Sequence, residues 1–165
     1  MPVGDAPHRE IERDPGPEVR HELCRLAAED SSWLDVSRLE VDRDGPSYTV
    51  DTLRALRDED PERELIFLMG GDQAAKLASW RDPEQVLSLA TIAIAERDTG
   101  RREDVTAAIA DLPGSEGVRF FAMPGIDVSS TMVRARTAEG GPIEYLVPRR
   151  VAGYIERAGL YREET

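Results

Sequence analysis

The sequence is poor in the residues that indicate a disulfide-stabilised, metal-binding or membrane-spanning protein. Its 165 residues include one cysteine, Cys24, which excludes a disulfide framework and a cysteine-based metal site. Cys24 lies within a helical pattern, which favours a small core side chain. No apolar run approaches the roughly 20 residues of a membrane-spanning helix, and the N-terminus lacks the basic head and apolar stretch of a secretory signal. We therefore expect a cytoplasmic protein.

Positive charge is also scarce. The sequence has 21 Lys and Arg residues against 33 Asp and Glu residues, which gives a formal net charge of −12. This charge repels nucleic-acid phosphates and anionic membrane surfaces at long range, so we expect neither nucleic acid nor a membrane as partner. An anionic small molecule could still bind where helix N-termini and a few arginines oppose the overall field.

Apolar runs of strand type alternate with stretches of helical period. This alternation predicts an α/β fold with a parallel sheet and helices on both faces. The length fits a single domain over residues 1–165. The uninterrupted apolar run Leu65–Met69 is typical of a central strand buried on both faces. We predict strands at 34–41, 65–69, 91–95 and 118–123, and helices at 18–29, 48–58, 73–78, 83–89, 103–110 and 148–158, with a further helix opening at 128–131.

Ligands of open parallel sheets bind beyond the carboxyl ends of the strands, so the residues that follow each strand are the first candidates. Gly70-Gly71-Asp72 follows one predicted strand. Its glycines would let a ligand approach the backbone, and Asp72 could accept hydrogen bonds from a ribose. The alternative interpretation is a tight turn with Asp72 as a helix N-cap.

A second candidate is the strand-to-helix junction that contains Ser129, Ser130, Thr131 and Arg134. Unpaired backbone N–H groups, three hydroxyls and an arginine one turn into the helix could together hold a polyphosphate. Alternatively, a serine here only caps the helix and Arg134 is a solvated side chain.

The third candidate is formed by aromatic side chains. Aromatic residues make up 5% of the chain, yet Tyr48 and Trp80 both lie in polar neighbourhoods at element boundaries. They could stack a flat heteroaromatic ring between them. The alternative for Trp80 is a half-buried side chain that fills a loop. His8 could meet a phosphate or could be an exposed loop residue.

The order of these motifs resembles that of the bacterial nicotinate-nucleotide adenylyltransferases, over essentially the whole chain. The motifs that carry the resemblance are Pro2-Val3-Gly4-Asp5-Ala6-Pro7-His8-Arg9, Pro46-Ser47-Tyr48-Thr49-Val50-Asp51-Thr52-Leu53, Phe67-Leu68-Met69-Gly70-Gly71-Asp72, Trp80-Arg81, Val128-Ser129-Ser130-Thr131-Met132-Val133-Arg134 and the C-terminal Tyr145-Leu146-Val147-Pro148. The resemblance implies a Rossmann-like nucleotidyltransferase fold. It also implies adenylyl transfer from ATP to nicotinate mononucleotide in NAD biosynthesis, giving nicotinate adenine dinucleotide and pyrophosphate, with Mg²⁺ as cofactor and a homo-oligomer left open.

The same resemblance implies roles for individual residues. The nicotinate mononucleotide would be surrounded by Tyr48, Thr49, Trp80 and Arg81, with His8 and Arg9 in a basic loop near the substrate phosphates. ATP would be held near its ribose by Gly70 and Asp72, and at its phosphates by Ser129, Ser130, Thr131 and Arg134. Arg134 would act in catalysis by stabilising charge on the phosphates.

The sequence departs from the family pattern at its beginning. Family members begin with a strand, a Gly-x-Phe-Asp-Pro segment and a His-x-Gly-His motif at the start of the first helix. The two histidines here, His8 and His21, do not have that spacing, so we expect the first strand and first helix to be missing. Our hypothesis is that the start was placed too late in the gene, which upstream sequencing tests. The alternatives are a catalytically dead nucleotide-binding remnant, or an adenylyltransferase for another acceptor such as phosphopantetheine.

Overall fold

The structure is a computed structural model that describes residues 1–7, 13–96 and 101–162. The predicted site residues His8 and Arg9 lie outside the described residues. The Cα positions group the chain into two compact units. We call Tyr48–Ile126 the sheet unit, and Met1–Ser47 together with Asp127–Thr165 the helical unit. The single domain expected from the chain length stays a prediction.

The helices and strands follow the alternation expected from the sequence. The α-helices are α1 (Pro17–Ala28), α2 (Thr49–Glu59), α3 (Gly71–Ala74), α4 (Pro83–Leu89), α5 (Arg101–Ile109), α6 (Ser130–Ala138) and α7 (Arg149–Arg157), with 3₁₀ turns at Leu77–Ser79 and Ser115–Gly117. The strands are β1 (Ile66–Gly70), β2 (Thr91–Glu96) and β3 (Arg119–Ala122).

The sheet unit contains a three-stranded parallel sheet in the order β1-β2-β3. Ile66 of β1 pairs with Thr91 of β2, and Ala93 of β2 pairs with Arg119 of β3. Ile92 and Ile94 of the middle strand lie on the same face of the sheet, and each is 1% exposed because this face packs into the core of the sheet unit. The predicted parallel α/β arrangement is therefore confirmed.

The prediction that Leu65–Met69 is a central strand buried on both faces is wrong for the described sheet. β1 lies at the sheet edge, and its side chains alternate between a packed and an open face. Met69 is 8% exposed, whereas Ile66 and Leu68 are 53% and 66% exposed. A continuous apolar run does not reveal this difference, because it gives both faces the same composition.

The helical unit has a core of its own. It is built by apolar side chains of α6, α7 and the segment between them, against which Leu23 and Leu26 of α1 pack; its buried members are Val133, Ile143, Val151, Ala152 and Ile155. The N-terminal segment also belongs to this unit. At Gly4 an ideal Cβ would lie 2.0 Å from the carbonyl oxygen of Glu40, so only glycine fits this approach.

Two further expectations for the helical unit are wrong. The predicted strand at 34–41 is irregular backbone that ends in a turn, where the Asp42 N–H donates to the Arg38 carbonyl at 2.8 Å. A strand needs a neighbour to satisfy its N–H and C=O groups, and no described segment pairs with this one. Cys24, expected in a core, is exposed on α1. Among the described residues, no helix is both long and apolar enough to cross a membrane.

Candidate nucleotide site

Tyr48 is fixed at the N-terminus of α2. Its backbone is extended, and its carbonyl accepts the N–H groups of Asp51 and Thr52 at 3.1 and 3.2 Å, which makes it the N-cap. The phenol ring is half-buried against the core of the sheet unit. Thr49 is the first helical residue and is also half-buried. Both residues therefore sit on a rigid helix end.

A guanidinium lies over the Tyr48 ring. The Cζ atom of Arg81 is 4.7 Å from the centroid of that ring, which is within cation–π range. The Arg81 side chain is 52% exposed and reaches Asp51, with 3.5 Å between its Nη1 and the Asp51 Oδ2. The structure thus joins two predicted site residues, 33 positions apart in sequence, into one cationic and aromatic surface.

Two ion pairs connect α2 with the turn that contains Arg81. One is the pair between Asp51 of α2 and Arg81. The other runs in the opposite sense, from Arg54 of α2 to Asp82, with 3.2 Å between Nη2 and Oδ2. Arg54 also donates to Asp51 at 3.1 Å and to the side-chain oxygen of Gln85. The position of Arg81 is therefore set by its neighbours on α2 as well as by its own backbone.

Trp80 ends the 3₁₀ turn and packs inward. Its ring meets Phe67 of β1 edge to face, with 6.2 Å between centroids and an interplanar angle of 81°. The ring is half-buried against the same core as Tyr48. Edge-to-face packing on a strand side chain gives Trp80 a structural role in the sheet unit. The prediction that Tyr48 and Trp80 enclose a heteroaromatic ring stays a prediction.

The glycines at the carboxyl end of β1 leave room in front of the backbone. Gly70 is the N-cap of α3, with φ −82°. A Cβ on Gly70 would meet no described atom within 4 Å, so neither its backbone conformation nor packing against the described residues requires glycine. Such open space is what a closely approaching ligand would use. Asp72 is exposed in the first turn of α3 rather than at its cap, so the N-cap interpretation of Asp72 is wrong.

The start of α6 displays hydroxyl groups. Ser129 is the N-cap, and its Oγ accepts the Met132 N–H at 3.1 Å. Ser130 and Thr131 follow in the first turn and are exposed. The capping interpretation of this segment is therefore confirmed for Ser129, while Ser130 and Thr131 remain open to solvent at the positive end of the helix dipole.

Arg134 lies one turn further along α6 and is half-buried, so it is not the freely solvated side chain of the alternative interpretation. Burial alone would raise the pKa of Asp14, but hydrogen bonds from Arg20 and the Gly16 N–H, with the charges of Arg20 and Arg134, lower it below its usual value. Burial raises the pKa of Tyr161, which the Arg134 charge partly opposes. Arg134 thus belongs to a charged cluster within the helical unit.

The predicted site residues fall into two groups. Tyr48, Thr49, Gly70, Asp72, Trp80 and Arg81 belong to the sheet unit, and Ser129, Ser130, Thr131 and Arg134 belong to the helical unit. Sequence reasoning missed the ion pairs made by Asp51, Arg54 and Asp82. The available signal was the complementary charge order, Asp51 before Arg54 in the helix and Arg81 before Asp82 in the turn.

A separate cavity of about 330 Å³ lies at the opposite end of the sheet. Its lining includes Leu65, Ala90 and Thr91, at the amino ends of β1 and β2. Ligands of open parallel sheets bind at the carboxyl ends instead, which disfavours this cavity as the nucleotide site. Within the described part of the chain, no three His, Cys, Asp or Glu side chains lie close enough together to hold a metal ion.

Comparisons with known proteins place these residues in a family context. A cytidylyltransferase-like family model matches residues 2–136. A probable nicotinate-nucleotide adenylyltransferase of Desulfitobacterium hafniense (strain Y51) is 39% identical over 164 residues, which cover 98% of this chain and 79% of the relative. A protein of the same description from Streptomyces coelicolor is 41% identical over 147 residues, 89% of this chain and 75% of the relative.

Solved structures agree with this match at the level of the fold. Plasmodium falciparum nicotinic acid mononucleotide adenylyltransferase, complexed with NaAD, superposes with a TM-score of 0.68 at 16% identity, over 96% of this chain and 78% of that one. The same enzyme complexed with APC gives a TM-score of 0.65 at 17% identity, over 89% and 76%. The predicted Rossmann-like nucleotidyltransferase fold is therefore confirmed.

Proposed function

Because this chain belongs to the nicotinate-nucleotide adenylyltransferase family, a family of nucleotidyltransferases, we propose that it transfers the adenylyl group of ATP to nicotinate mononucleotide. The products are nicotinate adenine dinucleotide and pyrophosphate, which places the reaction in NAD biosynthesis. The prediction of a cytoplasmic protein belongs with this proposal, and a homo-oligomer stays open.

The reaction needs no protein nucleophile. An oxygen of the mononucleotide phosphate attacks the α-phosphorus of ATP and forms a new P–O bond. The bond between the α-phosphorus and the oxygen that bridges to the β-phosphate breaks, and pyrophosphate leaves with that oxygen. The protein has to align two polyanions and offset the charge that accumulates around the α-phosphorus. Cationic side chains on rigid elements are therefore the groups of interest.

The observation that carries the proposal is the Arg81 guanidinium over the Tyr48 ring, 4.7 Å from its centroid. The guanidinium suits the carboxylate of the nicotinate group, and the aromatic side chains suit its flat pyridinium ring. In the proposal this surface holds the mononucleotide, together with Thr49 and Trp80. The basic loop that contains His8 and Arg9 is assigned to the substrate phosphates on the resemblance alone.

ATP is assigned to the remaining residues. Open space in front of Gly70 supports close approach of the nucleotide, and the exposed Asp72 carboxylate could accept hydrogen bonds from ribose hydroxyls. Backbone N–H groups at the start of α6, the hydroxyls of Ser130 and Thr131, and the Arg134 charge suit the phosphates. Arg134 is proposed to stabilise the transition-state charge.

Mg²⁺ is part of the proposal. The described residues contain no group of three His, Cys, Asp or Glu side chains that could hold a metal ion. Mg²⁺ would therefore enter bound to ATP, because phosphate oxygens are the hard ligands that it prefers. When bound, it neutralises phosphate charge.

Pyrophosphate release tests the proposal. We expect saturable release with ATP and nicotinate mononucleotide, and little release with nicotinamide mononucleotide or phosphopantetheine as acceptor. Arg134→Gln is expected to lower kcat by about 100-fold or more, because it removes a group aimed at developing charge. Arg119→Gln replaces an exposed side chain of β3 and is the control. It should leave kcat and KM unchanged.

Three outcomes are informative. Release with phosphopantetheine alone would reassign the acceptor, and isothermal titration that detects binding of both substrates without turnover would indicate a nucleotide-binding remnant. Binding of neither ATP nor nicotinate mononucleotide would contradict the proposal altogether.

A further inference from the structure

Asp51 connects two arginines that come from different parts of the sheet unit. Its Oδ1 lies 3.1 Å from Nη1 of Arg54 on the same helix, and its Oδ2 lies 3.5 Å from Nη1 of Arg81. The Asp51 side chain is 33% exposed, so its charge is less screened by water than that of a fully solvated carboxylate. It stands in the first turn of α2, three residues after Tyr48.

Arg81 depends on Asp51 for its position. Among the residues that the structure describes, Asp51 is the only carboxylate that pairs with Arg81, and the other contact of its guanidinium is the Tyr48 ring. A long side chain that is 52% exposed has many accessible rotamers. The carboxylate restricts these to the ones that keep the guanidinium over the ring.

The pair leaves the Arg81 charge available. At 3.5 Å the contact is longer than a normal charge-assisted hydrogen bond, and Asp51 shares its charge with Arg54. An anionic ligand can therefore bind to the guanidinium without first breaking a tight bidentate pair.

We propose that Asp51 is a positioning residue for the mononucleotide site, which holds the Arg81 guanidinium on the Tyr48 ring before an anionic pyridine nucleotide binds. The inference rests on the proposed function, since that function makes the Arg81 and Tyr48 surface the mononucleotide site. Preorganisation of this kind increases affinity because fewer rotamers are lost on binding.

The second ion pair provides a matched control. Arg54 and Asp82 also connect α2 with the turn after Trp80, at 3.2 Å, but this pair does not involve Arg81. Asp82→Asn therefore removes the same charge from the same helix-to-turn connection and leaves the Arg81 contact intact. If Asp51 only fastened the turn to α2, Asp51→Asn and Asp82→Asn would have similar effects.

Isothermal titration of nicotinate mononucleotide into the whole chain tests the inference. Asp51→Asn is expected to raise Kd by about 5- to 10-fold, a change typical of one lost ordering contact, and Asp82→Asn by less than about twofold. Asp51→Glu, which keeps the charge, should recover most of the affinity. In an Arg81→Gln background, Asp51→Asn should have no further effect, because Asp51 acts through Arg81.

The outcomes separate the two proposals. If the unaltered chain does not bind the mononucleotide, the proposed function fails, and the inference fails with it. If the unaltered chain binds but Asp51→Asn and Asp82→Asn weaken binding equally, or the effects of Asp51→Asn and Arg81→Gln multiply, only the inference is overturned. Circular dichroism checks folding, and Asp51→Ser replaces Asp51→Asn if the latter does not fold.

Discussion

Asp14 secures the segment that leads into α1. Its carboxylate pairs with Nη1 of Arg20, while Nη2 of Arg20 donates to the carbonyls of Val3 and Gly4 at 2.8 and 2.6 Å. The half-buried Arg20 guanidinium therefore joins the N-terminal backbone to α1, and Asp14 supplies its counter-charge. The Asp14 side chain is 36% exposed and Arg20 is 16% exposed, so solvent screens the pair only in part.

The pKa of Asp14 gives a prediction about pH. Burial raises this pKa, but the Arg20 and Gly16 hydrogen bonds and the charges of Arg20 and Arg134 outweigh it, so the pKa lies below its ordinary value of 3.8. A lowered carboxyl pKa stabilises the fold above the unfolded-state value, and this stabilisation is lost as the pH falls through the folded-state pKa. Asp14→Asn should therefore lower the free energy of unfolding at pH 7, by about 1 kcal/mol or less, and the difference should shrink toward pH 3.

Urea unfolding at both pH values measures this difference. Asp30→Asn is the matched control, because Asp30 is 84% exposed and lies 3.5 Å from its partner Arg150; its effect should be small at either pH. An Asp14→Asn deficit that grows on acidification would contradict the prediction.

The sequence predicted the residues of the candidate site better than the side chains that hold them in position. Tyr48 and Arg81 were predicted to share a ligand, and the structure places one over the other. Asp51 was not predicted, because an acidic residue in the first turn of a helix is expected there for the helix dipole alone. Only the approach of Arg81, 30 residues later, gives it a second partner.

At the scale of elements, local sequence patterns predicted whether a segment is a helix or a strand better than they predicted how it is packed. α4 has the predicted bounds, Pro83–Leu89, with a proline at its first position, and β2 covers the predicted apolar run. The strand predicted at 34–41 is absent because strand formation needs a neighbour, which a single segment does not specify. The exposure of one face of β1 has the same origin, since it depends on what packs there.

β1 allows a direct comparison of two faces. Leu68 is 66% exposed and the next residue, Met69, is 8% exposed. Leu68→Ala should lower the free energy of unfolding by less than about 1 kcal/mol, because little packing is lost, whereas Met69→Ala should cost about 2 to 4 kcal/mol through lost burial and a cavity. Guanidinium unfolding of the two variants measures the contrast. Equal and large losses would mean that the Leu68 face is covered in solution.

At the scale of the whole molecule, the buried apolar residues form two separate cores. The core of the sheet unit centres on β2 and includes Val86, which is fully buried, while the core of the helical unit includes Ile155, which is 3% exposed. Among the residues that the structure describes, no buried residue belongs to both cores. The chain length does not predict this grouping, because the helical unit combines residues from the two ends of the chain.

Hydrogen exchange distinguishes two cooperative units from one domain. Ile155→Ala should cost about 3 kcal/mol, which corresponds to about a 100-fold loss of amide protection. If the units open separately, this loss appears in α6 and α7 and leaves β2 protected, because the core of the sheet unit is intact. Val86→Ala should give the opposite pattern. Equal losses throughout the chain in both variants would instead establish the single cooperative domain that the chain length predicts, since every amide would then exchange through the same global unfolding.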